Sequence, residues 1–227
     1  EDVQDTASPG ASPISGQQDA LPRQGDKQAS YEQPFPQKLM SYLKGFPPRL
    51  KKTTPDELRG DRWIEYAKDA RFLLCDGGIA VFYGNCGTGK TRMAYEIAKV
   101  SKPKAINVRG MSKEQPRIYL TAAEFMEKLR QGFKDSDAAS ERNTMDEFAH
   151  ATLLVIDEID NSLASDYGQR KIKQVVDDRY RRELPTILIT NLDRKALAKL
   201  LPEPVVDRIR ECGKGYHFNW PSFRGQK

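Results

Sequence analysis

The sequence predicts an α/β domain, a parallel sheet flanked by helices on both sides, preceded by a disordered tail. Three observations carry this. Short continuous apolar runs such as Ile79–Tyr83 and Leu153–Ile156 lack polar alternation, as expected for strands covered on both faces. Helical patterns separate these runs, which is how parallel strands are connected. Finally, residues 1–34 hold four Pro, three Gly and six Gln, with only Val3, Ile14, Leu21 and Tyr31 as sizeable apolar residues. So little buryable surface does not offset the entropy of ordering.

Taken in order, residues 1–36 form the acidic, Pro/Gln-rich tail and residues 37–60 a short helix and linker, with Leu39, Met40, Tyr42 and Leu43 on the apolar side of Gln37–Gly45. The main domain spans residues 61–227. Asp61 is placed to cap a helix running through Trp63, Ile64, Ala67, Ala70 and Leu74, widened by Phe72 and Leu73. Ile79–Tyr83 is the first strand, and a glycine-rich turn leads into a helix at Lys90–Val100. Ser101–Pro116 has no periodic pattern and reads as a loop. Further strands are expected at Arg117–Leu120, Thr152–Asp157, Pro185–Thr190 and Tyr216–Trp220, and helices at 122–133, 166–183, 193–200 and 204–211.

Charge is unevenly distributed. The chain carries +5 overall, but its first 34 residues have six acids against two bases, leaving +9 on the remainder. That balance suits a polyanionic partner. No apolar run approaches the roughly 18 residues of a membrane span, so no membrane association is expected. Residues 1–20 lack the basic start and apolar stretch of a secretion signal. Three scattered cysteines, Cys75, Cys86 and Cys212, make no disulfide framework or zinc cluster and fit a reducing compartment, hence the cytoplasm. His150 and His217 have no ligand-spaced partners and read as structural.

The chemistry concentrates at three strand ends. Gly84-Asn85-Cys86-Gly87-Thr88-Gly89-Lys90-Thr91 fits the G-x-x-x-x-G-K-[ST] pattern. Its glycines let successive N–H groups point at phosphate oxygens, and the following helix adds its positive N-terminal end. Lys90 is expected on the β- and γ-phosphates of ATP, and the Thr91 hydroxyl on Mg²⁺. The apolar strand Leu153–Ile156 delivers Asp157 and Glu158 at its C-terminal end, where ligands bind in such sheets. Asp157 is the second expected Mg²⁺ ligand, and Glu158 the base for an attacking water. Asn191, ending the strand Thr186–Thr190, is placed to bond the γ-phosphate or that water. A base beside the metal ligand favours hydrolysis over transfer to a second small substrate.

These motifs resemble those of the DnaC/IstB-like AAA+ ATPases, a group of helicase loaders and transposition helpers. The resemblance runs from about Phe46 to Arg224. It includes Val175–Tyr180, Val206-Asp207-Arg208-Ile209 and the ending Phe218-Asn219-Trp220-Pro221-Ser222-Phe223-Arg224. It implies a P-loop NTPase sheet of AAA+ type with a minimal lid, ATP-dependent self-assembly, and a site completed by an arginine of the neighbouring subunit. Arg208 matches that arginine; Pro204 stands where the group usually has another, which leaves Arg208 and Arg210 as candidates. Arg224 matches a second nucleotide-sensing arginine. The resemblance also implies DNA contacts, single strands favoured, from Phe133, Lys134, Ser165, Tyr167 and Lys171, and a protein partner that is a replicative helicase or a transposase. A low-turnover, ATP-gated adaptor is the alternative.

Overall fold

The computed structural model describes residues 42–52, 60–101, 105–108, 111–134 and 138–223. The expected tail and residues 37–41 of the expected short helix lie outside these residues, as does Arg224.

In chain order the elements are β1 (Leu43–Lys44), a short 3-10 turn (Pro48–Lys51), α1 (Asp61–Cys75), β2 (Ile79–Gly84), α2 (Lys90–Val100), β3 (Ala105–Val108), β4 (Met111–Glu114), β5 (Arg117–Thr121), α3 (Ala122–Lys134), α4 (Ala138–His150), β6 (Leu153–Asp157), α5 (Asp160–Leu163), α6 (Asp166–Arg181), β7 (Thr186–Ile189), α7 (Arg194–Leu200), α8 (Glu203–Cys212) and β8 (Gly213–Phe218). Six strands form one sheet in the order β1-β5-β6-β7-β2-β8, and every neighbouring pair is parallel. The sheet is the one the sequence predicts.

Its side chains alternate between two apolar layers. Ile79, Val81, Leu154, Ile156 and Leu188 pack with Phe125, Leu129, Phe148, Ile172 and Val176 on one face. Ala80, Phe82, Leu153, Val155 and Ile187 pack with Trp63, Leu74, Met93 and Ile97 on the other. Both faces being covered is why these strands read as unbroken apolar runs.

Six expectations change. Ser101–Pro116 contains a hairpin, β3 paired antiparallel with β4, where a loop is expected. Where the end of a Gln37–Gly45 helix is expected, Leu43 and Lys44 pair in parallel with Arg117 and Ile118, so their backbone groups complete a sheet edge. Asp61 is the first residue of α1, not its cap, and there its charge still favours the positive helix end. On that helix Ile64 and Phe72 remain 45% and 76% exposed, because Trp63, Ala70 and Leu74 define the buried stripe. Finally, α4 has no counterpart in the expected elements, and the last strand begins three residues earlier than expected, at Gly213.

No helix among the described residues is long and apolar enough to cross a membrane.

Candidate functional site

The C-terminal ends of β2, β6 and β7 open onto a cleft of about 300 Å³. Cys86, Gly87, Gly89, Lys90, Thr91, Asp157, Glu158 and Asn191 line it, together with Arg49, Leu50, Arg92, Tyr119 and Phe223. Residues expected to act together from three separate motifs therefore meet at one place.

The glycine loop leaves β2 at Gly84, where φ is 111° and a Cβ would lie 2.7 Å from the Phe218 carbonyl. Gly89, φ 87°, precedes α2 and faces the Trp63 indole nitrogen and the Phe223 ring at 3.1 and 3.3 Å from its would-be Cβ. A side chain at either position is excluded by backbone conformation and crowding. The loop is braced from behind. Asn85 N donates to Phe218 O, Phe223 N to Gly87 O, and the Trp220 indole to Thr88 O. Within the loop, Thr88 Oγ1 donates to Asn85 O at 2.7 Å. The Trp63 indole nitrogen is buried beside the loop with no hydrogen-bond partner among the described residues.

Lys90 is buried and its ammonium donates to Gly84 O at 2.7 Å and Asn85 O at 2.6 Å, at the mouth of the helix. Thr91, one residue on, donates its hydroxyl to Asp157 Oδ2 at 2.7 Å. Tyr119 donates to the same oxygen at 2.9 Å, while Asp157 Oδ1 accepts the Glu158 amide at 2.8 Å. Burial, then the neighbouring Asp157 carboxylate, push the Tyr119 phenol well above its ordinary range, so its proton stays on the oxygen as donor. The set fits a phosphate chain with a hard cation. A lysine and a helix N-terminus meet the anion, and two oxygen ligands, Thr91 Oγ1 and Asp157 Oδ2, lie side by side for a cation that keeps waters or phosphate oxygens in its remaining positions.

Glu158 follows β6 with φ 55°, a left-handed conformation costing a non-glycine residue roughly 1–2 kcal/mol. Its side chain is exposed at the cleft. Asn191 follows Thr190, whose hydroxyl donates to Asp160 Oδ1 at 2.9 Å and accepts the Leu192 amide at 3.1 Å. That turn carries Asn191 to the cleft.

Arg208 is not among the cleft-lining residues. On α8, its guanidinium lies against α6, 3.6 Å from Asp177 Oδ1 and above the Tyr180 ring. Arg210 pairs instead with Glu203 and Asp207. Of the expected DNA-contact residues, Phe133 and Lys134 close α3, and their side chains fall outside the described ones. Ser165 caps α6, its hydroxyl accepting the Gly168 amide at 3.1 Å. Tyr167 is half-buried and donates to Glu141 at 3.4 Å, and Lys171 pairs with the same carboxylate at 2.5 Å.

Sequence reasoning missed Tyr119, Arg49, Leu50 and Arg92. Arg92 links the glycine-loop helix to the 3-10 turn by donating to Leu50 O at 2.9 Å. An isolated tyrosine inside an aliphatic strand was the only trace of the Tyr119 contact.

Comparison with known proteins agrees with this geometry. The profile of the ATPase family associated with various cellular activities (AAA) matches residues 80–213, which run from β2 to the start of β8. The replicative helicase loader DnaC of Escherichia coli (strain K12) is 34% identical over 154 residues, covering 66% of this chain. The chain in turn spans only 59% of that loader's length. The crystal structure of a DnaC helicase loader superposes with a TM-score of 0.55 at 19% identity, covering 80% of this chain and 99% of that one. AMPPCP-bound DnaA from Aquifex aeolicus gives 0.58 at 19% identity, over 76% of this chain and 51% of that one. With the glycine loop, the acid pair and Asn191 gathered at the strand ends and the family profile spanning that region, the chain belongs to the AAA family of ATPases and resembles the DnaC helicase loaders in sequence.

Proposed function

We propose that this protein binds ATP with Mg²⁺ in the cleft, hydrolyses it, assembles with further copies on DNA, and loads a replicative helicase in the cytoplasm. The observation that supports the reading most is the convergence of Lys90, Thr91, Asp157, Glu158 and Asn191, contributed by three strand ends, on a single cleft. Lys90 leaves its two loop carbonyls to meet the β- and γ-phosphates, while the amides of residues 85–91 face the phosphate oxygens. Thr91 and Asp157 would hold Mg²⁺, which would supply positive charge against the phosphate oxygens. Glu158 takes a proton from water onto its carboxylate as that water's oxygen bonds the γ-phosphorus and ADP departs. Asn191 orients the water or the γ-phosphate. Arg208 of a second copy stabilises charge on the transferring group, and Arg224 serves as a second nucleotide sensor. Single-stranded DNA is held by Phe133, Lys134, Ser165, Tyr167 and Lys171.

Two variants test the chemistry. Lys90→Ala should abolish ATP binding, whereas Glu158→Gln should bind ATP and not turn it over; hydrolysis by Glu158→Gln at the wild-type rate would overturn the assignment. Fluorescence anisotropy with matched single-stranded and duplex oligonucleotides, each with ATP, ADP or no nucleotide, tests the destination. ATP-dependent preference for single strands is the expected result. Preference for duplex would redirect the proposal to a transposition helper working with a transposase, and no binding to either would leave an ATPase whose partner is protein alone.

A further inference from the structure

Both oxygens of Asp157 are hydrogen-bonded by neighbours in the fold, and one of those bonds comes from outside the motifs. On β5, Thr121 is the residue in direct register with Asp157. Thr121 is not available to it. Its amide donates to Glu124 Oε2 at 2.7 Å, and its hydroxyl pairs with Glu124 at 3.0 Å and accepts the Glu124 amide at 3.2 Å, a capping box that starts α3. Tyr119, two residues earlier and on the same sheet face, reaches diagonally to Asp157 Oδ2. Phe46 packs at a tilt against the Tyr119 ring, centroids 4.9 Å apart, and meets Tyr95 of the glycine-loop helix edge-on at 5.4 Å. The phenol is thus buried, fixed at its ring, and lines the cleft.

We infer that Tyr119 is a positioning residue for magnesium: its hydroxyl holds the Asp157 carboxylate in the orientation that, with Thr91, receives the cation. The inference rests on reading this cleft as the magnesium–nucleotide site. Thr91 has to turn a lone pair toward a metal, so its bond to Asp157 is shared with that task; the Tyr119 bond is not. Partners of this kind that orient a metal-binding group change metal affinity by roughly 10- to 100-fold when lost.

The test is titration calorimetry of the full chain with a non-hydrolysable ATP analogue, once with Mg²⁺ and once with EDTA. Wild type should bind more tightly with Mg²⁺. Tyr119→Phe keeps ring and volume; it should match wild type within about twofold in EDTA, yet need roughly 10-fold or more Mg²⁺ for half-maximal tightening. Phe46→Leu keeps the hydroxyl and removes the ring contact, and it should leave the magnesium requirement unchanged. An unchanged requirement in Tyr119→Phe overturns the inference. So does an equal rise in both variants, which would mark Tyr119 as packing only. Absence of any magnesium effect in wild type would instead overturn the reading of the cleft itself.

Discussion

Arg208 places its guanidinium carbon 4.4 Å from the centre of the Tyr180 ring, with its Nε 3.6 Å from Asp177 Oδ1. Tyr180 is itself held, donating to Glu211 Oε1 at 2.6 Å. A half-exposed arginine is thereby held in one direction; if it acts in a second copy's cleft, as proposed, that restriction would lower the cost of ordering it there.

If Arg208 acts across an interface, Arg208→Ala should lower ATP turnover by about 10³-fold, the scale of other arginines supplied in this way, and leave nucleotide affinity of the isolated chain intact. Mixing Arg208→Ala with Lys90→Ala subunits should restore activity, because each supplies what the other lacks. Mixed assemblies as inactive as their components would remove the cross-subunit site.

Glu141 competes for the groups assigned to DNA. It accepts from Tyr167 and pairs with Lys171, whose ammonium also lies 5.5 Å from the Tyr167 ring. Glu141→Gln should therefore tighten single-strand binding and steepen the salt dependence by about one counterion. Tyr167→Ala should weaken binding by about 1–3 kcal/mol if a base stacks on the ring. Salt titrations of anisotropy separate the two effects, and identical slopes in Glu141→Gln and wild type would place Lys171 off the DNA path.

Arg179 is a structural cation. Fully buried on α6, it donates to Thr186 Oγ1 and to the carbonyls of Phe148, Ala151 and Pro185 at 2.6–3.0 Å. Burial among these neutral oxygens pushes its pKa down to about 9, still above neutrality, so it remains charged at pH 7. Arg179→Met strands several buried acceptors and should cost about 3–5 kcal/mol in urea unfolding. A loss under about 1 kcal/mol would mean that water replaces these bonds.

Acid stability is expected to depend on Asp69. Partial burial raises its pKa, but hydrogen bonds from Tyr216 at 2.6 Å and Lys214 at 2.9 Å outweigh this and hold it below 3.8. A depressed carboxylate contributes its stability above the unfolded value and loses it as pH falls through the folded one. The melting-temperature gap between wild type and Asp69→Asn should therefore be constant near neutrality and close below pH 3.8. A gap that persists to the most acid pH at which both fold would mean that the amide fails for steric reasons.

The parts legible in the sequence share one physical trait: their signal is local. A buried parallel strand is a run of apolar residues, and a phosphate loop is a fixed spacing, so β2, β6, β7 and the chemistry at their ends could be read directly. The missed parts depend on partners distant in sequence. Among the described side chains of α4 the buried ones are Met145, Phe148 and Ala149, and its sequence includes Ser140, Asn143 and Thr144, weak helix formers; packing against α3 and α6 decides its conformation. Leu43 and Lys44 become strand only because β5 offers them an edge. Tyr119 meets Asp157 across 38 positions through a sheet register that no short motif encodes. Arg208 could be singled out by resemblance alone, and its setting against Tyr180 and Asp177 needed the fold.

The place of β2 has a consequence for how the protein comes into being. The strand that launches the glycine loop is among the earliest made, yet its sheet neighbours are β7 and β8, and its loop is braced by Phe218, Trp220 and Phe223. On a ribosome adding about 5–20 residues per second, on the order of 10 s separates Gly84 from those partners. Throughout that interval the nascent chain carries the complete nucleotide motif without the wall that shapes it. Competence to bind ATP should thus arrive late and abruptly, with the last strand, and a stalled or truncated chain would present the motif while remaining unable to use it.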